Sequence, residues 1–390
     1  MAWDAGALHT QYFGGKPQLL VQSPGRVNLL GEHVDYNDGP VLPVAIDRRV
    51  YLAASLAEDQ VIHLVAHDLG QEVRFTLDGL DRKVDVQGDP LPDWACYPAG
   101  VAWSLQEAGL EVRPIRAAYT SDLPIGAGLS SSAAVECAFG VAWRALGGWQ
   151  VDNMALAQLC RRAENEYVGV ASGLMDQFAC LHGVAGHALY FDTRSLAWEA
   201  LPLPGETVLV IADSGVRREL AGSQYNQRRQ ECRQAVEILK TYLPEIESLR
   251  DISPTEMAAY GEFLPPVIRR RAQHVVREIE RVESAVNALK LGEWRSFGAK
   301  MFAGHASLRD LYEVSTPELD TLVDIARGLP GCIGARLTGA GFGGCTVNLV
   351  ESERVEEFRS GLERAYTDKL GKEIRLYVCK ASEGGKGFKV

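Results

Sequence analysis

Three glycine-rich segments contain the residues whose types and spacing could do chemistry. The strongest is 124–134, which reads Pro-Ile-Gly-Ala-Gly-Leu-Ser-Ser-Ser-Ala-Ala and leads into an apolar, alanine-rich stretch. Glycines let the backbone approach a ligand, and the unpaired N–H groups at a helix start attract anions. The segment therefore predicts a phosphate cradle. The alternative is a glycine turn with a serine helix cap, but three consecutive serines exceed what capping requires. No Walker or protein-kinase signature occurs in the sequence.

The other two segments indicate a ligand-closing loop and a polyol site. Residues 339–344 formally match the dinucleotide fingerprint Gly-x-Gly-x-x-Gly. That fingerprint opens a helix, whereas a strand-like run follows here. We therefore predict a loop between two strands, with a plain structural turn as the alternative. Residues 25–37 combine one Arg, one His and two carboxylates in a turn-rich stretch. Ionised carboxylates suit neutral polyols because they accept hydrogen bonds from neighbouring hydroxyls; the alternative is a surface loop with an internal ion pair.

The bulk properties limit the classes of function. A chain of 390 residues favours two domains. The net charge of −11 argues against nucleic acid as the main partner, and we interpret the run 269–271 (Arg-Arg-Arg) as a solvated face. The sequence has no run of about 18 apolar residues, so no membrane span is expected. No signal peptide is recognised at the N-terminus. Eight scattered cysteines indicate reduced thiols in a cytosol.

Hydrophobic patterns predict an α+β chain that must position these segments. Strands are predicted at 41–56, 61–77 with a break at 68–70, 186–193, 207–213, 333–338, 345–350 and 374–379. Helices are predicted at 131–146, 152–168 and 354–370, and the stretch 219–329 is mostly helical in period, with a helix start at 316–318. A composition shift near residue 200 divides the chain into an N-terminal α+β domain, 1–200, and a C-terminal α+β domain, 201–390.

Residues 25–37, 124–134 and 338–345 resemble the three motifs of the small-molecule kinases that include galactokinase, homoserine kinase and mevalonate kinase. The first motif, Gly-Arg-Val-Asn-Leu-Leu-Gly-Glu-His-Val-Asp-Tyr-Asn, is similar to the galactokinase signature, with Val34 where Thr is common. The resemblance implies a two-domain small-molecule kinase fold with the active site in the interdomain cleft. It also allows the last strand to pack back on the N-terminal domain.

The resemblance implies a function as well. It is ATP-dependent phosphorylation of the anomeric hydroxyl of α-D-galactose, giving galactose 1-phosphate and ADP, the first kinase step of galactose catabolism, with ATP and magnesium as cofactors. Three alternatives stay open: a kinase for a related sugar such as N-acetylgalactosamine or arabinose, a non-catalytic galactose and ATP sensor, and a dinucleotide-binding oxidoreductase. We expect a cytoplasmic protein with galactose and ATP as partners and neither nucleic acid nor membrane. The oligomeric state is open, with a monomer expected.

The resemblance also assigns roles to individual residues. Asp176 matches the catalytic aspartate and Arg26 its partner; the aspartate either takes the hydroxyl proton or only orients the hydroxyl. Sugar-binding positions are Glu32, His33, Asp35, Gly173 and Tyr225. Nucleotide-binding positions are Gly126, Gly128, Leu129, Ser130, Ser131, Ser132, Trp94 and Tyr97. Ser132 and Glu164 match the magnesium-associated pair, and the cleft loop contributes Gly339, Gly341 and Gly343.

Overall fold

The structure is a computed structural model that describes residues 4–124, 126, 128–216 and 221–390. Positions 125 and 127 of the predicted phosphate segment therefore lie outside the described residues, as do 1–3 at the N-terminus and 217–220, which include the predicted start of the helical stretch. Among the described helices, none is long and apolar enough to cross a membrane.

The described residues form eleven α-helices. They are α1 (Ala5–Phe13), α2 (Asp93–Glu107), α3 (Ser131–Gly147), α4 (Asn153–Arg162), α5 (Met175–His182), α6 (Ala221–Leu239), α7 (Pro254–Tyr260), α8 (Pro266–Lys290), α9 (Trp294–Ser307), α10 (Pro317–Gly328) and α11 (Val355–Leu370). Two π-helical turns, Ala163–Val168 and Leu308–Tyr312, follow α4 and α9 directly.

Thirteen strands occur in the same described ranges. They are β1 (Leu19–Asn28), β2 (Pro40–Val41), β3 (Pro43–Leu56), β4 (Val61–Ala66), β5 (Gln71–Thr76), β6 (Ile115–Ser121), β7 (His187–Asp192), β8 (Trp198–Pro202), β9 (Thr207–Asp213), β10 (Cys332–Thr338), β11 (Cys345–Glu351), β12 (Arg375–Cys379) and β13 (Lys386–Lys389).

The strands form three sheets that helices cover. A six-stranded sheet has the order β13-β1-β3-β6-β4-β5, with β4 and β6 parallel and the other neighbours antiparallel. A four-stranded sheet has the order β10-β11-β9-β12, and a small one the order β2-β7-β8. Helices α3 and α5 pack on β1 and β3, α9 and α10 pack on β10, and α8 contacts the small sheet. The α+β class predicted from the sequence is confirmed.

The larger apolar core extends over both halves of the chain. It runs from Val21 and Leu52 in the six-stranded sheet to Tyr312 and Val347 beside the four-stranded sheet. A smaller core lies between the four-stranded sheet and helices α10 and α11. The two large sheets thus share one packed interior. The boundary near residue 200 stays a prediction.

Most predicted elements are confirmed, and the exceptions are in β1 and in stretches without a prediction. The strand 207–213 and the helices 131–146 and 354–370 form within one or two residues of the prediction. The turn-rich interpretation of 25–37 is wrong for its first four residues, which belong to β1. Ser23, Arg26 and Asn28 in that strand are polar but buried, so the expected alternation is absent. Helix α2 and strands β6, β8 and β13 lie in stretches for which no such element was predicted.

Two further predictions concern side chains. None of the eight cysteines, all within the described residues, is in a disulfide, as the scattered spacing predicts. The interpretation of 269–271 as a solvated face is wrong for Arg271, which is buried at the start of α8. Its guanidinium donates to Glu231 at 3.0 Å and to Glu313 at 2.7 Å, so the charge is paired inside the protein.

Candidate active site

The start of α3 forms one wall of the site. Gly126 and Gly128 adopt positive φ of 74° and 81°, and Ser130 enters the left-handed region at 57° before the helix begins. The Ser130 side chain makes no capping bond to the helix; its hydroxyl donates instead to a carboxylate oxygen of Asp176. The first N–H groups of a helix lack partners within it, so this end can receive an anion. The serine-cap alternative therefore loses its support.

Asp176 lies in the first turn of α5 and is held by Arg26 of β1. Arg26 donates through Nε to Oδ1 at 2.7 Å and through Nη2 to Oδ2 at 2.6 Å. Its remaining Nη1 donates to the Gly128 carbonyl at 2.8 Å, and its backbone N–H donates to the Leu129 carbonyl at 3.1 Å. The bidentate geometry fixes the plane of the carboxylate. Arg26 is buried, whereas the Asp176 side chain is 26% exposed and faces the cleft.

Glu32 and Asp35 lie in the segment after β1 and line the same cleft as Asp176. Oε1 of Glu32 accepts a hydrogen bond from the Gly339 N–H at 2.7 Å, which ties this segment to the loop between β10 and β11. Burial raises the pKa of Glu32 to about 7, although the nearby Arg336 and Arg26 oppose the shift. Burial, together with the charge of Asp176, raises the pKa of Asp35 to about 6.

Gly173 lies directly against Asp35. A Cβ added at this glycine would lie 1.8 Å from Oδ2 of Asp35, far inside contact distance. The position therefore excludes any side chain as long as the carboxylate keeps its place. His33, with φ of 62°, has partners on both ring nitrogens, Tyr36 and Ala340, and its ring centroid is 5.5 Å from that of Tyr225. The His33 ring is thus part of the wall of the cleft.

Glu164 lies in the π-helical turn after α4, and such turns are frequent at functional sites. Its Oε1 accepts from the Ser132 hydroxyl at 3.4 Å, and its Oε2 accepts from Ser172 and, at 2.9 Å, from Nε2 of Gln177. A hydroxyl and a carboxylate are oxygen ligands of the kind that magnesium takes, alongside nucleotide phosphates. Within the described ranges, no group of three or more His, Cys, Asp or Glu could hold a metal ion. The pair fits a metal whose shell the nucleotide completes.

A buried ion pair lies behind the segment that bears Glu32 and Asp35. Arg336 of β10 donates through Nη1 to Oε1 of Glu278 at 2.9 Å, and both side chains are fully buried. The same Glu278 oxygen accepts from the Gly31 N–H at 2.9 Å, and Arg336 also donates to the Leu29 carbonyl at 3.2 Å. Helix α8 and strand β10 are thereby joined to the segment after β1. Nothing in the sequence pattern of α8 singles out Glu278.

These walls enclose a cleft of about 400 Å³ that brings most of the predicted residues together. Its predicted lining residues are Arg26, Glu32, His33, Asp35, Gly126, Gly128, Ser130, Ser131, Ser132, Glu164, Gly173, Asp176, Tyr225 and Gly339. Its further lining residues, not predicted, are Gly169, Val170, Ser172, Met175, Asn226 and Ala340. Ser172, Met175, Asn226 and Ala340 each adjoin a predicted residue, which is the one signal that could have found them.

Five predicted residues do not line this cleft. Leu129 is buried in the core, where its carbonyl bonds Arg26. Gly341 and Gly343 lie in the predicted loop between β10 and β11, where an added Cβ would meet Val314 and Val216 instead of open space.

Trp94 and Tyr97 are on α2 and half-buried. The Trp94 ring lies 6.1 Å from that of Tyr119, and its buried Nε1 has no hydrogen-bond partner. Burial, with Glu164 and Glu136 nearby, raises the pKa of Tyr97 to about 12. Their role near an adenine stays a prediction.

The chain is similar to known proteins over nearly its whole length. Residues 7–56 match the family model of the galactokinase galactose-binding signature, residues 97–184 the N-terminal domain of GHMP kinases, and residues 285–368 the GHMP kinase C-terminal domain. A galactokinase of Roseiflexus sp. (strain RS-1) is 46% identical, covering 98% of this chain and 96% of that protein. A galactokinase of Chloroflexus aurantiacus is 44% identical, covering 97% and 95%.

Solved structures give the same result. The structure of Lactococcus lactis galactokinase complexed with galactose matches with a TM-score of 0.92 and 34% identity, covering 98% of each chain. Methanococcus jannaschii mevalonate kinase matches with a TM-score of 0.65 at 21% identity, covering 93% of this chain and 98% of that one, which shows a common fold. Since the sequence similarity extends over nearly the whole chain, this protein belongs to the galactokinase family, within the GHMP kinases.

Proposed function

We propose that the protein transfers the γ-phosphoryl group of ATP to the anomeric hydroxyl of α-D-galactose, giving galactose 1-phosphate and ADP. One observation carries the proposal. The Arg26–Asp176 pair lines a single cleft together with the start of α3, the buried Glu32 and the half-buried Asp35. A phosphate donor and a polyol acceptor can therefore meet at Asp176.

Phosphoryl transfer passes through a loose transition state, so a kinase mainly positions its reactants and neutralises charge. The N–H groups at the start of α3 hold the nucleotide phosphates. Glu32 and Asp35 accept hydrogen bonds from the sugar hydroxyls and orient the anomeric oxygen toward the γ-phosphorus. Such orientation can contribute roughly 7–11 kcal/mol to lowering a barrier. It depends on carboxylates held in place, and Gly173, Gly339 and the ion pair behind them provide that support.

The carboxylate of Asp176 has room for one substrate hydroxyl. It offers about four acceptor positions, of which two are used by Arg26 and one by Ser130. The position that is left can accept the hydrogen of the anomeric hydroxyl. We infer that Asp176 takes this proton as general base, a contribution of about 10²–10⁴-fold. Arg26 keeps the carboxylate aligned and lies where negative charge develops.

Magnesium is part of the proposal, with Ser132 and Glu164 as the residues that would hold it. When bound, the ion would neutralise charge on the nucleotide phosphates. Because Ser172 and Gln177 occupy Oε2 of Glu164, Oε1 is the oxygen that points to Ser132 and is available to a metal. A test independent of turnover is the binding of manganese with ADP, followed by electron paramagnetic resonance, which Glu164→Gln should weaken.

The experiment for the proposed function is a coupled ADP-release assay with galactose, N-acetylgalactosamine, arabinose and glucose at equal concentrations. We expect galactose to give the highest kcat/KM. Preference for another sugar would overturn the proposed substrate, and galactose-dependent nucleotide binding without turnover would identify a sensor. Replacing Asp176 with Asn should lower kcat at least about a hundredfold; a loss under tenfold would exclude a general base.

We propose the cytoplasm as the working compartment. The support is that none of the eight cysteines, all within the described residues, is in a disulfide, and that five of them are fully buried (Cys137, Cys160, Cys180, Cys345 and Cys379). Reduced thiols at this number are typical of a reducing compartment. The expectation of a monomer stays a prediction, which light scattering would test.

A further inference from the structure

A continuous chain of hydrogen bonds starts at His33, which lines the cleft, and leads away from it. Nε2 of His33 is 3.0 Å from the Ala340 carbonyl, and Nδ1 is 2.9 Å from the Tyr36 hydroxyl. The Tyr36 hydroxyl is 2.8 Å from that of Tyr312, and the Tyr312 hydroxyl is 3.2 Å from the Cys232 sulfur. Tyr36, Tyr312 and Cys232 do not line the cleft, so none of them is placed to touch a ligand there.

One carbonyl fixes the direction of every bond in this chain. A carbonyl oxygen can only accept, so Nε2 of His33 carries the hydrogen. Burial lowers the pKa of His33 to about 3, so the ring is neutral and Nδ1 must accept from Tyr36. Tyr36 has then used its hydrogen, so Tyr312 donates to Tyr36, and Cys232 donates to Tyr312. The hydroxyls of Tyr36 and Tyr312 therefore each accept one hydrogen bond and donate one. A side chain that can only accept could not replace either of them.

The chain joins parts of the molecule that are distant in sequence. Cys232 lies on α6, two helical turns after Tyr225, whose ring packs against those of His33 and Tyr36 at 5.5 and 5.3 Å. Tyr312 ends the second π-helical turn.

A second histidine reinforces the same point. His274 of α8 has its ring 4.5 Å from that of Tyr312 and donates through Nε2 to the Glu32 carbonyl at 3.2 Å. The segment 32–36 thus has hydrogen bonds to His274, Ala340 and Tyr312.

We propose that Tyr312 is a positioning residue for the sugar, acting through Tyr36 and His33. It fixes the orientation of the His33 ring, and that ring holds both the segment bearing Glu32 and Asp35 and the Ala340 carbonyl of the cleft loop. The inference rests on the proposed function in that this segment binds the sugar. It predicts an effect on the affinity for the sugar and none on the affinity for the nucleotide. Among the described residues, the hydrogen bonds at the start of α3 go to Arg26, Asp176 and Glu164 and to no member of this hydrogen-bond chain.

The test is the affinity of the folded enzyme for galactose without ATP, measured by isothermal titration calorimetry, with KM for ATP as the second readout. Tyr312→Phe removes the neutral hydrogen bonds that its hydroxyl makes with Tyr36 and Cys232, and it should weaken galactose binding about fivefold. Tyr36→Phe leaves the buried His33 nitrogen without a donor and should weaken it about twentyfold. Cys232→Ala removes only the terminal donor and should change it less than about twofold. KM for ATP should stay within about twofold in all three.

A double-mutant cycle distinguishes a connected chain from separate packing effects. In the Tyr36→Phe background the chain is already broken, so Tyr312→Phe should weaken galactose binding no further. Additive losses would overturn the proposal. The matched control is Tyr366→Phe, which removes another buried tyrosine hydroxyl, one that donates to the Ser214 carbonyl away from the cleft. It should leave galactose affinity unchanged.

The possible outcomes separate the two claims. If the wild-type enzyme neither binds nor phosphorylates galactose, the proposed function fails and this inference fails with it. If the wild type binds galactose and Tyr312→Phe binds it equally well, the proposed function stands and this inference is overturned. Should Tyr312→Phe fail to fold in a thermal melt, the comparison of Tyr36→Phe with the control decides the matter by the same criterion.

Discussion

Replacing Gly173 with Ala should damage sugar binding while sparing the rest of the enzyme. The glycine does not use the left-handed backbone region, so alanine can adopt its conformation without strain. The added methyl would lie 1.8 Å from Oδ2 of Asp35, where ordinary contact begins near 3.4 Å. Either the carboxylate or the glycine segment must therefore move by about 1.6 Å.

A displacement of this size breaks the hydrogen bond that, in the proposed complex, the Asp35 carboxylate accepts from a sugar hydroxyl. Hydrogen bonds to charged groups contribute about 1.5–3 kcal/mol, which corresponds to a loss of about tenfold to a hundredfold in affinity. We expect KM for galactose to rise by that factor. KM for ATP should stay within about twofold, because the start of α3 is untouched.

Two controls isolate the contact. Gly205→Ala adds the same methyl where no atom lies within 4 Å and should be neutral. In an Asp35→Ala background most of the clash is gone, so the further effect of Gly173→Ala should fall below about threefold.

Steady-state kinetics with varied galactose, and calorimetry without ATP, measure these changes. An unchanged KM for galactose in Gly173→Ala would refute the reasoning, since it would mean that galactose binding does not depend on the position of the Asp35 carboxylate. An equal loss in KM for ATP would refute it too, because the damage would then not be confined to the sugar.

Three further predictions concern pH, stability and catalysis. Lowering the pH from 8 to 6 should weaken galactose binding about tenfold or more in calorimetry, because Glu32 and Asp35, with pKa values of about 7 and 6, lose acceptor capacity as they protonate on the way down; a flat profile would contradict this. Glu278→Gln removes the carboxylate that pairs with both Arg336 and Arg281 inside the protein and should cost about 3–5 kcal/mol in urea unfolding, whereas a cost below about 1 kcal/mol would show that the pairing is dispensable. Ser130→Ala removes a donor to Asp176, the proposed general base, and should lower kcat about fivefold to tenfold, and unchanged steady-state kinetics would rule out a role for this hydroxyl.

Local signals in the sequence located the glycine-rich walls well. Gly126, Gly128 and Gly339 adopt positive φ, a conformation that other residues rarely take, and so each leaves a visible trace in the sequence. The loop at 339–344 was predicted as a connection between two strands, and β10 and β11 confirm it. Such features depend on a few neighbouring residues, which is why a single sequence can indicate them.

Contacts between distant residues could not be predicted from spacing. Arg26 and Asp176 are 150 positions apart, and Tyr36 and Tyr312 are 276 apart. Only the resemblance to a family linked the first pair, and nothing in the sequence linked the second. Both contacts depend on the packing of elements that are far apart in the sequence. Buried polar residues such as Glu278 look, in sequence, like any charged residue of an amphipathic helix.

The pairing of β13 with β1 has a consequence for how the protein is made. Strand β1 contains Arg26, and one edge of its first four residues, Leu19 to Gln22, pairs with residues 386–389. During synthesis that edge stays uncovered until residues 386–389 have left the ribosome, and an uncovered strand edge can recruit another chain. The nascent protein thus passes through a stage at which aggregation competes with completion of the sheet, and removal of residues 386–390 would make that stage permanent.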